Sequence, residues 1–171
     1  MTRRLGLVEW LIIVSSAVFV VVLAVSAWWE RDIRWLHFFQ AWMYVATAVL
    51  AIRRNKWGYF IGIAAGGLWA YTNLFVTNFL MSGLRELRHW ISSGTLSRPD
   101  QLIAVAAWSS NVALVVACLV AYGRRGDRAW RDWLAFLVTF VVTTEFFAGA
   151  MALFQPRYLA LFPRMLHPHL P

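Results

Sequence analysis

Cysteine is almost missing from these 171 residues. The one thiol, Cys118, sits inside an apolar run, which excludes an internal disulfide and any dithiol redox chemistry within a single chain. Charge is scarce as well, at 14% of residues against the roughly 25% of an ordinary soluble domain. There is no CxxC, no phosphate-cradling glycine loop, no Ser-His-Asp set and no histidine-rich di-iron pattern. A membrane b-type haem needs paired imidazoles on facing helices, and His37 alone lies near an apolar run. His167-Pro168-His169 lacks the further Cys, His or acidic neighbours of a metal site. No cofactor and no metal is therefore expected. Internal repeats of the kind that build duplicated transporters are absent too.

What is present is apolar surface. Hydrophobic residues make up 61% of the chain and the mean hydropathy is +0.60. A soluble core of this size cannot hide so much, so the bilayer is the solvent for most of it. The net charge of +8 sits in short clusters between apolar runs. That is the pattern of topology signals and headgroup contacts rather than of nucleic-acid binding.

The fold class expected is all-α, a single polytopic membrane bundle of about five transmembrane helices plus one short interfacial helix. The spans fall at about 5–29, 36–52, 58–82, 102–122 and 133–154. The first has a basic start but too long an apolar run for a secretory signal, and reads as an uncleaved span. Residues 83–93 alternate as an amphipathic helix, with Leu84, Leu87, Trp90 and Ile91 on one side and Arg85, Glu86, Arg88 and His89 on the other. Ser97 or Asp100 then reads as the cap of the fourth span. The tail, 155–171, reads as lying on the membrane surface. With the N-terminus inside, the inner face holds Arg3, Arg4, Arg53, Arg54, Lys56, Arg124, Arg125, Arg128 and Arg131, nine of the sixteen Lys and Arg residues. This favours an N-in, C-out protein of a bacterial inner membrane. Glu9, at the inner edge, is within reach of headgroups or of Arg3 and Arg4.

The third span organises the rest. Gly58, Gly62, Gly66 and Ala70 recur every fourth residue, so they line one helix face and admit a neighbour backbone to backbone. Asn73 and Thr77 continue that stripe with polar groups. Packing within the chain is the simpler reading of the ridge, and a homo-oligomer seam the alternative.

Few side chains inside the spans carry chemistry. Glu145 is the one acid well inside a span. At mid-membrane a charge costs about 2.5–3.5 kcal/mol, which predicts that it faces the bundle or a wet cavity. Asn73 and Asn111 reach a similar depth from two other spans, and Gln40, Tyr44 and Trp108 approach from the same side. These six form the candidate ligand site; hydrogen bonding between helices is the alternative for the two asparagines. Three functions fit. The first is a small membrane protein that binds or translocates a small, partly apolar ligand in a polar cavity of the outer half. The second is a non-catalytic subunit of a larger membrane complex. The third is a membrane enzyme on a lipid or isoprenoid, with Glu145 as acid or base. Membrane lipids, a second copy of the chain or partner membrane subunits are the partners expected, and nucleic acid is not.

Overall fold

A computed structural model describes residues 5–161 of the chain. These residues are helical throughout, with no strand among them. Six α-helices run in order: α1 Leu7–Trp29, α2 Arg34–Ile52, α3 Lys56–Tyr71, α4 Phe79–Ser93, α5 Pro99–Gly123 and α6 Asp132–Phe154. Five stretches, namely α1, Arg31–Ile52, Lys56–Val76, α5 and α6, are long and apolar enough to cross a membrane. Their outward faces carry Val14, Val18 and Val21 on α1, Val116 and Leu119 on α5, and Leu137, Val138, Val141 and Val142 on α6, all exposed. Such a surface suits a bilayer. Residues 162–171 of the expected 155–171 tail, with His167 and His169, and the basic start with Arg3 and Arg4 lie outside the described residues.

The spans alternate in direction because their connections are short. One end of the bundle gathers the basic turns, and the other gathers the Glu30 turn, the Thr77–Asn78 bend and α4. At the basic end, the Asn55 side chain accepts from the Trp57 amide and starts α3, while Arg54 turns the chain at φ 51°. Glu9 accepts from the Gly6 amide at 2.9 Å and pairs with Arg54 at 3.3 Å. Among the described residues its basic partner is thus Arg54. Asp132 is buried there at the start of α6. It takes Lys56 Nζ at 2.7 Å, the Tyr122 hydroxyl at 2.9 Å and the Ala129 amide at 3.2 Å.

Helix α3 packs against α2, α5 and α6, and α1 closes the bundle against α2 and α5. The glycine ridge makes the approach possible. A Cβ on Gly58 would lie 2.6 Å from Leu50 Cβ of α2. One on Gly62 would meet Cys118 Sγ at 2.6 Å and Thr47 Cγ2 at 2.8 Å, and one on Gly66 would meet Val115 Cγ2 at 3.0 Å. All three glycines are therefore spent on contacts inside the chain.

Two boundaries differ from the expected ones. The third span does not continue to Ser82. It ends in a π turn, Thr72–Val76, whose Thr77 amide donates to the Thr72 carbonyl at 3.0 Å. Asn78 then takes the left-handed conformation at φ 52°, and Phe79–Ser82 become the first turn of α4. Asn tolerates that conformation better than most residues, which is why the break falls there. Helix α4 lies against α5, with Gly83 seated so closely that a Cβ would stand 2.7 Å from the Gln101 carbonyl oxygen. Neither Ser97 nor Asp100 caps α5. Glu86, buried rather than on a solvated face, accepts from the Ser97 and Arg98 amides at 2.6 and 2.8 Å, and Pro99 opens the helix.

Candidate functional site

A cavity of about 300 Å³ lies at the Glu30 end of the bundle, between the ends of α1 and α3, the start of α2 and the last turns of α6. Its rim includes Glu30 and Thr77, both exposed. Its apolar wall is Ile33, Leu36, Leu68, Trp69, Phe147 and Met151, and its polar wall is His37, Gln40, Thr72, Asn73 and Thr144. A polar stripe runs down α2 because His37, Gln40 and Tyr44 are spaced three and four apart. The π turn carries Asn73 into the opposite wall.

Asn73 is 1% exposed, yet neither atom of its carboxamide has a hydrogen-bond partner among the described residues. Gln40 Oε1 is buried without a partner as well. Unpaired buried polar groups cost on the order of 1–3 kcal/mol each, and they cluster where a protein binds something. His37 Nδ1 stands 3.2 Å from the Leu23 carbonyl oxygen. A carbonyl oxygen only accepts, so Nδ1 carries the proton and Nε2 is the acceptor of the neutral ring. Thr144 donates to the carbonyl of Phe140 at 2.9 Å, which leaves its hydroxyl lone pairs.

One helical turn below, the cavity has a floor. Tyr44 is fully buried and donates to Asn111 Oδ1 at 2.8 Å, while the Asn111 amide donates to the Ala107 carbonyl at 2.7 Å. The Phe19 ring lies 4.4 Å from that of Tyr44 and 5.5 Å from that of Trp69. Tyr44 and Asn111 are thus hydrogen-bonded to each other across α2 and α5, beneath the site rather than in its lining.

Comparison with protein-family models, with curated proteins and with solved structures yields no match. Geometry alone therefore carries the functional argument.

Of the six candidate residues, Gln40 and Asn73 meet in the cavity wall. Trp108 is half-buried on α5 and does not line it. Glu145 is exposed on the outward face of α6, opposite to the expected inward direction. The reason is helical phase: Thr139, Thr143 and Phe147 are buried against the bundle, and Glu145 lies about 200° round from Thr143. Its neighbour Thr144 reaches the cavity instead. His37, Trp69 and Phe147 belong to the lining and were not among the candidates. The 3–4 spacing of His37, Gln40 and Tyr44 was the available signal for the first of these.

Proposed function

We propose that this protein binds a small, partly apolar ligand in the cavity at the Glu30 end. The observation that carries this reading is the carboxamide of Asn73, buried in the cavity wall with both atoms unpaired among the described residues. The aromatic and aliphatic wall suits an apolar body, and the few convergent polar groups suit its head. The packed floor of Tyr44, Phe19 and Asn111 favours binding over passage through the bundle. Glu145 lies outside the cavity, which weighs against its acting there as an acid or base.

Mass spectrometry of small molecules released from the purified full-length chain tests the reading. A compound retained by the parent protein and lost from Asn73→Leu is the expected result. Identical release from both proteins, or none from either, overturns it. The excess of basic residues around the two basic turns supports an N-in orientation, with the cavity facing outward. Single cysteines at Asn55 and Ser93, in a Cys118→Ala background, should label from opposite sides of the membrane; labelling from one side refutes this topology.

A second reading, a subunit of a larger membrane complex, is favoured by Glu145 itself. Its carboxyl has no partner among the described residues, and beside it Gly149 has no atom within 4 Å of a built Cβ. An uncovered acid at that depth is costly in lipid, and a flat small-residue patch admits a close helix. Glu145→Leu should then reduce particle size in native gels. An unchanged size argues against a partner on this face.

A further inference from the structure

The hydrogen-bonding inventory of the cavity restricts the kind of head group that fits it. The whole carboxamide of Asn73 and the Oε1 of Gln40 are buried in the wall without partners among the described residues. The Asn73 carboxamide offers both donors and an acceptor. His37 Nε2 and the Thr144 hydroxyl add acceptors, because the proton of each is committed to a backbone carbonyl. Thr77 keeps one lone pair, since its hydroxyl donates to the Thr72 carbonyl and accepts from the Phe79 amide, and the Ser26 and Thr72 hydroxyls also line the space.

Charge narrows the choice further. No Lys or Arg among the described residues lines the wall, so an anionic head would be buried there without a counter-charge. Among the described residues Glu30 is the only carboxylate of the lining, and it is exposed at the rim rather than at the depth of Asn73. A cationic head at that depth would meet acceptors but likewise lack a counter-charge. A neutral head that donates and accepts through adjacent atoms satisfies the site, since the Asn73 carboxamide can pair with it through two hydrogen bonds and Gln40 Oε1 can accept a third. The size limit follows from the volume: at ~30 Å³ per water, 300 Å³ holds on the order of ten non-hydrogen atoms.

We infer that the cavity selects a neutral carboxamide or lactam carried on a compact apolar body. This rests on the cavity being a binding site, and it adds the chemical class.

Three probes of nearly equal shape separate the charge states: cyclohexanecarboxamide, cyclohexanecarboxylate and cyclohexylmethylammonium. Each is titrated calorimetrically into the full chain in detergent, with protein-free micelles as the blank. The carboxamide should bind roughly tenfold or more tightly than either charged probe. Asn73→Leu should weaken it by at least the same factor, about tenfold. Asn73→Asp nearly conserves shape while placing a carboxylate at depth, so it should reverse the order in favour of the ammonium probe. That gain of binding keeps the test decisive where Asn73→Leu fails to fold.

A charged probe that binds best, with affinity sensitive to Asn73, overturns the chemical class and leaves the binding site standing. Equal uptake of all three probes, unaffected by either substitution, reports partition into detergent and overturns the class. No binding of any probe also overturns it, and the mass-spectrometric comparison of the parent with Asn73→Leu then decides whether the cavity reading falls as well.

Discussion

Two glycines five residues apart on α3 should respond to the same substitution in opposite directions. An alanine at Gly62 places its Cβ 2.6 Å from Cys118 Sγ and 2.8 Å from Thr47 Cγ2, where carbon contacts are ordinarily about 3.5–4.0 Å. Something must move by about 1 Å. Thr47 and Cys118 are both fully buried, and Thr47 is held by its hydrogen bond to the Met43 carbonyl at 2.8 Å. Overpacking of this kind costs ~1–3 kcal/mol, and an obstruction from two helices at once belongs at the upper end. The gain in helix propensity from Gly to Ala returns about 0.5–1 kcal/mol. A net loss of about 2 kcal/mol follows, roughly a 30-fold fall in the folded-to-unfolded ratio. At Gly67 no atom lies within 4 Å of the built Cβ, so only the propensity term acts, and Gly67→Ala should stabilise by about 0.5–1 kcal/mol. Unfolding by SDS titration in mixed micelles, followed by tryptophan fluorescence, measures both. Adding Cys118→Ala to Gly62→Ala removes one of the two obstructions and should recover on the order of 1 kcal/mol beyond additivity. Equal shifts for Gly62→Ala and Gly67→Ala would refute the close α2–α3–α5 seam.

The other predictions concern hydrogen bonds and ion pairs. Tyr44→Phe strips the donor from buried Asn111 Oδ1 and should cost about 1–3 kcal/mol in the same titration. Asp132→Ala removes the shared acceptor of Lys56, Tyr122 and Ala129, and should destabilise more than Lys56→Met, which leaves the carboxylate its other two donors. At the loop before α6, the hydrogen bond from Arg125 holds the Asp127 carboxyl below its ordinary value. A depressed folded-state value means that this contribution is present above the unfolded pKa, near 4, and is lost as pH falls through the folded one. Asp127→Asn should therefore flatten the acid limb of the melting-temperature profile and leave the alkaline side unchanged.

The bundle is written plainly in the sequence, while the site is written there only in part. Long apolar runs separated by Arg53–Lys56 and Gly123–Asp132 leave few arrangements other than antiparallel spans. Asn73 and Gln40, which line the cavity, stand out in the sequence because polar side chains inside spans are costly. Glu145 was misdirected by the same argument, since cost alone does not tell which side of a helix a residue occupies. The spacing of Thr139, Thr143 and Phe147 holds that information. The end of the third span was hidden because neither proline nor glycine marks it, and Thr77 and Asn78 pass for more of the polar stripe. Trp69 and Phe147 look like any other aromatic in a membrane helix until the π turn opens a space beside them.

A π turn contains one residue more than an α-helix of the same reach. A lineage can therefore gain or lose it through one in-frame codon between Thr72 and Val76, while the glycine ridge on one side and α4 on the other stay in place. Deletion should turn the wall that carries Asn73, yet leave the Gly58, Gly62 and Gly66 seams in place. On the proposed reading, such a deletion would remove binding while sparing the seams, so the two can be separated by a single codon.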